Sequence, residues 1–393
     1  MNSDFVIVGG GIGGGVLAAL LAKAGRRVVV LEKAVASPAW TRPEILWPAT
    51  TDTLFSLLPR ATWEEDALRQ LGGVDAWNGR QMIQLIPAAT LHKVQVERWA
   101  ADAVRMRERL LGLGTFELYR GEEVIAVLKE QNRIAGVRTR NVVTGIERKF
   151  LAPWTIGDDG VHSVVREVCG LEIRTKMFPL DFVCFTFSWP AAFDPATARV
   201  WLNIEESHSG ILGLFAVPLP QRGAGVALVR PGIFERKDLA RKAWETFCAR
   251  DASLQKMVQA RGFPEDFVRV RRPWGHAQRY GGEGAILMGD AAHPVSPAGG
   301  QGANMSVADA RALAETVLND PSHLLEVYER RRRAANERSL RFTRGAARLL
   351  DLPRWTTPPT SLLLSVVRWA TRHPSVIAPI IRYVSTAFEE RRG

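Results

Sequence analysis

Two short runs of consecutive apolar residues flank a glycine-rich segment near the start of the chain. Residues 5–8 read as a strand buried on both faces, and residues 16–24 have the composition of a buried helix. Residues 28–31 predict a second buried strand, which ends at Glu32. The order strand, tight turn, helix, strand predicts an α/β unit of a doubly wound sheet.

The turn of this unit contains Gly9, Gly11 and Gly14 in the spacing G-x-G-x-x-G. Such glycines let the backbone approach a pyrophosphate, whose charge is attracted by the helix N-terminus. Glu32 is placed to accept hydrogen bonds from ribose hydroxyls and would repel a 2′-phosphate. An ADP-binding unit is therefore predicted, and FAD and a nicotinamide cofactor both remain open as its ligand. The predicted contacts also include Ile12, Gly13 and Lys33.

The middle of the chain mixes helical and strand patterns. Residues 101–113 read as a helix, and residues 116–160 as several strands with turns at Asn132 and near Gly145. A buried strand at 152–156 is followed by Asp159 and Gly160. An acid and a glycine at a strand end either approach a cofactor or form an ordinary turn.

Residues 171–270 predict a large antiparallel sheet. Alternate residues from Val183 to Trp189 share one apolar face, and residues 210–230 read as two strands around a turn. That face must be covered by the protein core or by an apolar substrate. The aromatic candidates for a substrate pocket, each with packing as the alternative role, are Trp47, Phe185, Phe187, Trp201 and Phe215.

A second strand–turn–helix pattern lies at residues 285–314. Its buried strand, 285–288, is followed by Gly289 and Asp290, and glycines at 299, 300 and 302 precede a helix that begins near Ala303. The acid can bond a ribityl or ribose hydroxyl, and the helix end can face the electron-rich edge of a flavin ring. A helix end in that position stabilises the anionic reduced flavin by about 1 kcal/mol.

Composition places the chain among ordinary globular proteins. Of its 393 residues, 46% are hydrophobic and 24% are charged. Its three cysteines lack a CxxC pair, which argues against a disulfide framework or a zinc site and for a reducing compartment. No leader with a basic and then an apolar segment precedes the first strand, so a cytoplasmic protein is expected.

The formal charge of +11 includes a run of arginines at helical spacing, Arg338, Arg341, Arg344 and Arg348. A basic helical face of this kind is either a solvated surface or a site that attracts an anionic membrane or an acidic partner. A nucleic acid partner is disfavoured, because no basic module interleaved with aromatic residues accompanies the run.

The last segment, 351–393, predicts a helical extension. Its apolar residues are interrupted by Arg368, Arg372, Pro374 and Arg382, so none of its stretches reaches the roughly 20 residues needed to span a bilayer. Two amphipathic helices divided at Pro374 would pack on the body of the protein or lie in a membrane interface, on the inner face of the membrane.

Three motifs together resemble those of the single-component FAD-dependent aromatic monooxygenases, the para-hydroxybenzoate hydroxylase-like group. They are the first glycine motif with Glu32, the pair Asp159 and Gly160 with Ser163 and Arg166, and the segment GDAAHPVSPAGGQGANMSVADARALA at 289–314. The likeness spans about residues 4–350. It implies a discontinuous, Rossmann-like FAD-binding domain, 1–170 and 271–350, interleaved with an antiparallel β-sheet substrate domain, 171–270, to which part of 75–100 could be added.

The resemblance also implies roles for single residues. Gly11, Gly13 and Gly14 would approach the pyrophosphate of FAD, Glu32 would hold the adenosine ribose, and Asp290 would meet the ribityl or pyrophosphate region. Near the reacting ring, Pro297 is a candidate wall, and His293 is a candidate proton carrier or the donor of a structural hydrogen bond to the backbone near Pro294. Asp158 departs from the family, in which alanine is usual at this position. The other implied cofactor contacts are Gly9, Arg42, Arg98, Asp159, Gly300, Gly302, Ala303 and Asn304.

The implied reaction consumes NADH or NADPH and O2. A flavin C4a-hydroperoxide would hydroxylate or epoxidise an electron-rich, hydrophobic aromatic or quinone- or quinolone-like small molecule. Two alternatives remain open: a flavin-dependent reductase of a polyprenyl substrate, and a flavin-binding protein without catalysis. A catalytic base cannot be named from the sequence, and neither can the oligomeric state.

Overall fold

A computed structural model describes residues 3–39, 41–77, 81–202, 210–252, 254–255, 263, 267–297, 299–350 and 360–390. Its strands, numbered along the chain, are β1 (Phe5–Val8), β2 (Val28–Glu32), β3 (Pro43–Leu46), β4 (Leu68–Gln70), β5 (Gly73–Trp77), β6 (Met82–Ile86), β7 (Trp99–Asp102), β8 (Glu117–Arg120), β9 (Glu122–Glu130), β10 (Arg133–Asn141), β11 (Glu147–Leu151), β12 (Trp154–Gly157), β13 (Ile173–Met177), β14 (Asp181–Phe187), β15 (Thr197–Leu202), β16 (Ile211–Pro218), β17 (Gly223–Val229), β18 (Val268–Val270), β19 (Pro273–Ala277), β20 (Gly281–Gly282) and β21 (Ala285–Leu287).

Helices flank these strands and form the end of the described chain. They are α1 (Ile12–Lys23), α2 (Pro48–Leu57), α3 (Arg60–Glu64), α4 (Ala88–Val94), α5 (Ala103–Leu111), α6 (Val164–Val168), α7 (Lys237–Cys248), α8 (Gly302–Asn319), α9 (Leu324–Leu350), α10 (Thr360–Arg372) and α11 (Pro374–Thr386).

The first sheet has six strands in the order β20-β21-β12-β1-β2-β8. From β21 to β8 the neighbouring strands are parallel, and only β20 pairs antiparallel. Both faces of β1 and β2 are buried, as their continuous apolar runs predict, and α1 and α8 lie against each other beside the sheet. The predicted α/β fold with a doubly wound sheet is thereby confirmed.

The second large sheet has seven strands in the order β18-β14-β17-β16-β15-β5-β6. Most of its pairs are antiparallel, but β5 joins β15 in parallel, with Gly73 opposite Thr197. One of its faces is covered by α7, where Phe185 and Trp244 meet edge to face with their ring centroids 5.1 Å apart. The strands β5 and β6 thus belong to this sheet although they lie early in the sequence.

The segment expected to be a helix from residue 101 is a strand followed by a shorter helix. β7 pairs with β3, with Leu46 opposite Trp99, and α5 begins only at Ala103. The reason is Asp102, whose carboxylate accepts hydrogen bonds from the backbone nitrogens of Val104 at 3.2 Å and Arg105 at 3.1 Å. This cap fixes the start of the helix.

The basic run on α9 is used partly within the protein. Arg338 donates to the backbone oxygen of Glu389 at 2.5 Å, and the Arg344 guanidinium lies 4.3 Å from the ring centroid of Trp274. Arg341 is exposed, and the side chain of Arg348 lies outside the described residues. The expected basic face is therefore only partly a solvent surface.

The C-terminal segment forms two helices, α10 and α11, and the second begins at Pro374, the residue at which the sequence predicts the division. Within the described ranges, none of the helices combines the length and the apolar character needed to cross a membrane.

Candidate functional site

The loop between β1 and α1 has no space for side chains at its glycines. Gly9 has φ +104°, and a Cβ atom there would lie 2.3 Å from the backbone oxygen of Asp158. At Gly14, a Cβ atom would lie 2.3 Å from the backbone oxygen of Gly9. Gly11 is the N-cap of α1 and has no side chain with which to cap it. Other groups must satisfy the nitrogens of the first turn, and a phosphate oxygen is suited to do so.

Glu32 lies directly beside this loop. Its carboxylate accepts hydrogen bonds from the backbone nitrogens of Gly10 at 3.0 Å and Ala34 at 2.7 Å. Arg107 of α5, which the sequence analysis missed, pairs with the same carboxylate at 2.8 Å and donates to the Gly10 oxygen at 2.5 Å. Lys33 is different, because it is exposed and pairs with Glu123 at 2.6 Å, away from the loop.

The two acids after β12 have different surroundings. Asp158 Oδ2 accepts a hydrogen bond from Gly14 N at 2.6 Å, and the same carboxylate borders Gly11 and Gly289. Asp159 accepts from Val164 N at 2.8 Å and Val165 N at 3.2 Å, in the first turn of α6, whose N-cap is Ser163. It is thus Asp158, the departure from the family pattern, that enters the glycine loop.

The ionisation of Asp158 is unfavourable in this position. Burial raises the pKa of Asp158 well above its usual range, although the hydrogen bond from Gly14 N acts in the opposite direction. The nearby carboxylates of Asp290, Asp159 and Asp309 raise this pKa further.

The start of α8 forms the second part of the site. Gly299 and Gly300 have φ +89° and +61°, a conformation that favours glycine, and α8 begins at Gly302. Asn304 locks this turn, since its Nδ2 donates to the backbone oxygens of Gly300 at 3.1 Å and Ile45 at 2.8 Å. Pro297 and Ala303 lie on either side of the same turn, and Gly300 N donates to the Pro297 oxygen at 3.0 Å.

Asp290 follows β21, as predicted, and pairs with Arg272. Arg42 lies at the start of β3 and pairs with Glu44 at 2.5 Å. The Glu44 carboxylate raises the pKa of Arg42, with a smaller contribution from Asp290, so that Arg42 and Asp290 face a common region. The sequence analysis missed Arg272 and Glu44.

Among the described residues, the His293 side chain is hydrogen-bonded to Asp309 rather than to the backbone near Pro294. Its Nε2 lies 2.5 Å from Asp309 Oδ2, and both side chains are buried. Asp309 also accepts from Gly289 N at 3.0 Å and from Arg332 Nε at 2.7 Å. The pair fixes the chain that follows β21 on α8, and a role for His293 as a proton carrier stays a prediction.

One face of the large sheet carries an exposed aromatic side chain near its centre. β16 is the central strand of the seven, yet the side chain of Phe215 on it is 39% exposed. Register places Val200, Val226 and Cys184 on the same face as Phe215. Cys184 is close enough to Arg42 for that cation to affect its ionisation, so this face is directed towards β3.

The structure separates the predicted pocket aromatics. Phe185, Phe187 and Trp201 belong to the apolar cluster on the opposite face of the sheet from Phe215, where they pack with α7. Trp47 packs in another cluster, with Met305 of α8. The alternation of apolar residues along the sequence predicts that Phe185 and Phe187 share one face of the sheet. It does not predict which of the two faces α7 covers.

The residues around the two helix starts fit an FAD molecule. A glycine loop without room for side chains, an acid at the end of β2 and a second glycine turn before α8 are the donors and spaces that a dinucleotide with a ring at one end requires. Such an arrangement defines an FAD-dependent oxidoreductase of the doubly wound type.

Comparison with known proteins agrees. The chain belongs to the family described as FAD binding domain, which matches residues 2–343. It is similar to 6-methylpretetramide 4-monooxygenase of Streptomyces rimosus, with 28% identity over 86% of this chain and 82% of that protein. It is also similar to 3-demethoxyubiquinol 3-hydroxylase of Escherichia coli, with 24% identity over 85% of this chain and 86% of that protein.

Solved structures with the same fold include p-nitrophenol 4-monooxygenase PnpA from Pseudomonas putida, with a TM-score of 0.77, 20% identity and complete coverage of both chains. PqsL, a probable FAD-dependent monooxygenase from Pseudomonas aeruginosa, has a TM-score of 0.73 and 21% identity over 93% of this chain and 100% of its own. The protein is accordingly an FAD-dependent monooxygenase that uses NAD(P)H and O2. The relatives support this class rather than a polyprenyl reductase or a flavin-binding protein without catalysis.

Proposed function

We propose that the protein hydroxylates or epoxidises an electron-rich, hydrophobic aromatic or quinone-like small molecule in the cleft between β16 and β3. The exposure of Phe215 at the centre of the large sheet carries the proposal, because a bulky apolar side chain is left uncovered there opposite the FAD-binding elements. The 6-methylpretetramide and demethoxyubiquinol hydroxylases named above act on molecules of this general kind. FAD, when bound, supplies the ring that accepts a hydride from NAD(P)H and that, once reduced, activates O2.

The chain itself binds and positions the reactants. Gly11, Gly13 and Gly14 would meet the pyrophosphate, and Glu32 the adenosine ribose. Asp290 and Arg42 would border the region between the pyrophosphate and the ring. Residues 1–170 and 271–350 would thus hold FAD, and 171–270 with β5 and β6 would cover the substrate and exclude water. The proposed contacts of the flavin ring are Pro297, Gly300, Gly302, Ala303 and Asn304.

The decisive experiment uses the purified holoprotein with a panel of phenols, quinolones, polyketides and prenylated quinones. A substrate should accelerate NAD(P)H oxidation and yield a product that carries one atom of ¹⁸O from ¹⁸O2. Hydrogen peroxide without an oxygenated product across the whole panel would contradict the proposal. Turnover in the absence of O2 would instead favour the reductase.

The C-terminal helices suggest where such a substrate is found. Leu362, Val366 and Trp369 form an exposed stripe on α10, at the spacing i, i+4, i+7. We propose that this stripe and its continuation on α11 dock on an anionic membrane surface at the inner face of a cytoplasmic membrane. The corresponding exposed residues on α11 are Val376, Ile380 and Tyr383.

The charges of α10 and α11 are complementary to an anionic membrane surface. α10 and α11 contain Arg368, Arg372 and Arg382 and lack acidic residues throughout. Exposed aromatic side chains beside cations are typical of helices that lie in a bilayer interface. A hydrophobic substrate dissolved in lipid would then reach the protein from the membrane.

Vesicle sedimentation tests the docking. The protein should bind vesicles rich in phosphatidylglycerol and not vesicles of phosphatidylcholine alone, and the double variant Trp369→Glu, Ile380→Glu should reduce binding about tenfold or more. Leu318→Glu, at another exposed apolar position, should have no effect. If the double variant instead abolishes a concentration-dependent dimer and vesicle binding is never seen, a second copy covers the stripe and the proposal is wrong.

A further inference from the structure

Two buried side chains with hydrogen-bond donors, Trp47 and Arg98, lie just beyond the paired ends of β3 and β7. The last pair in the register is Leu46 with Trp99, so Trp47 lies opposite Arg98 at the next position. Since neighbouring residues of a strand point to opposite faces, both side chains leave the face occupied by Leu46 and Trp99. Each of the two is only 8% exposed.

The donor groups of Arg98 and Trp47 lack hydrogen-bond acceptors among the described residues. Among the described residues, Arg98 Nε, Arg98 Nη2 and Trp47 Nε1 are buried without a hydrogen-bond partner. Arg98 also lacks an ion pair in the part of the chain that the structure describes. Burial lowers the pKa of Arg98 to about 10, so the side chain is still a cation at neutral pH.

An unpaired buried cation is unfavourable, because it loses its hydration without gaining a partner. A ligand that supplies the missing counter-charge would remove this penalty, and a buried, perturbed cation of this kind is therefore a candidate for a binding site. The two unpartnered guanidinium nitrogens, Nε and Nη2, lie on the same edge of the planar group. This edge is the one that receives both oxygens of a carboxylate in a bidentate pair.

The donors are close to the proposed flavin ring and remote from the pyrophosphate. The backbone nitrogen of Trp47 donates to Asn304 Oδ1 at 3.1 Å, and Asn304 also holds the turn at Gly300. Arg42, near Asp290, lies five residues before Trp47, which in an extended chain is roughly 16 Å. The surroundings of Trp47 are apolar, with Leu91 and Val295 among its neighbours.

We propose that Arg98 and the indole N–H of Trp47 bind a carboxylate of the substrate and hold its apolar body in the cleft beside the flavin turn. The inference rests on the proposed function and narrows it to a substrate that is a hydrophobic aromatic acid. It also assigns Arg98 to substrate recognition in place of the cofactor contact that the family resemblance implies.

Binding of 1-naphthoate and 1-naphthamide to the holoprotein tests this assignment, because the two share a ring system and differ in charge. Calorimetric titration of the wild type should give an affinity for the acid at least tenfold higher than for the amide. Arg98→Gln should remove this preference, and Trp47→Phe, which keeps an aromatic ring without the N–H, should reduce it severalfold. Arg341→Gln removes the same charge from an exposed position and should leave the preference unchanged.

Three results would overturn the proposal. The first is equal binding of acid and amide by the wild type, and the second is a loss of FAD affinity in Arg98→Gln, which would return Arg98 to the cofactor. The third concerns Arg98→Met, which removes an unpaired charge and should not lower the melting temperature; a clear decrease would mean that Arg98 supports the fold. Calorimetry does not depend on turnover, so a protein that fails to oxygenate any substrate could still show the preference for the acid.

Discussion

Asp158 Oδ2 lies 2.6 Å from Gly14 N, within the glycine loop that we propose as the pyrophosphate site. A carboxylate in this position is compatible with a neighbouring phosphate when it is protonated, since it can then donate a hydrogen bond. When it is ionised, the two anions repel each other. The buried surroundings that raise the pKa of Asp158 therefore connect FAD binding to pH.

We expect the affinity of the wild type for FAD to fall as pH rises through the raised pKa of Asp158, because the carboxyl group ionises there. Asp158→Ala should bind FAD about fivefold more tightly at pH 8, equivalent to about 1 kcal/mol, and should lack that pH dependence. Quenching of FAD fluorescence between pH 5 and pH 9 measures both effects. Asp4→Ala, at a distant surface position, is the matched control, and an unchanged pH profile in Asp158→Ala would contradict the expectation.

Phe215 on β16 and Phe185 on β14 are separated by β17 and lie on opposite faces of the sheet, and they should respond differently to truncation. Phe185→Ala removes a buried ring that packs on Trp244 and should lower the free energy of unfolding by about 3–5 kcal/mol. Phe215→Ala should cost less than about 1 kcal/mol, because its ring is already partly exposed, and should instead weaken substrate binding. Urea unfolding and substrate titration of both variants separate the roles; equal destabilisation would show that Phe215 belongs to the core.

Asp309 is the buried acid that compensates the charge of Arg332 behind the proposed flavin turn. Burial acts to raise the pKa of Asp309, but His293 and Arg332 outweigh it and hold this pKa below its usual value. The resulting stability is present above the unfolded value of 3.8 and is lost as pH falls towards the folded pKa. Asp309→Asn leaves Arg332 without its counter-charge and should cost about 3–5 kcal/mol in urea unfolding at pH 7. Asp320→Asn, at an exposed acid, should cost less than about 0.5 kcal/mol.

His276 should make the protein sensitive to mild acid. Burial, with smaller contributions from His293, Arg333 and Arg344, lowers the pKa of His276 from 6.5 to about 3, although Asp309 opposes the shift. In the folded protein the His276 ring is therefore neutral, with its Nε2 atom 2.5 Å from the Tyr280 hydroxyl.

Stability should therefore fall as pH decreases from 6.5 towards 3, by at most about 1.4 kcal/mol per pH unit from this group. His276→Gln keeps a polar group near Tyr280 and should have a shallower dependence. Melting temperatures of both proteins at pH 7 and pH 5 test this expectation, which fails if the two lose stability in parallel.

Local patterns were sufficient to predict the elements that we propose to bind FAD. Strand β1, the glycine turn and Glu32 lie close together in the sequence, and their proposed roles follow from backbone space and charge, which a sequence displays directly. The same holds for Gly299, Gly300 and α8, and for the start of the last helix at Pro374.

Contacts between distant segments could not be predicted in this way. Arg107 reaches Glu32 from α5, and Asp309 replaces the backbone as the partner of His293, because helix packing rather than local sequence decides these contacts. The face of the sheet on which Phe185 is buried is decided by the position of α7. The placement of Trp47 opposite Arg98 is decided by the register between β3 and β7.

The parallel pairing of β5 with β15 also affects how the chain can be made and cut. During synthesis on the ribosome, the β5–β6 pair emerges long before β15, its partner in the sheet. The hydrogen-bonding edge of β5 therefore stays unpaired until β15 has been synthesised. A cut between residues 170 and 171 would divide that sheet between two fragments. Neither fragment should fold alone, whereas coexpressed fragments should reassemble into one particle.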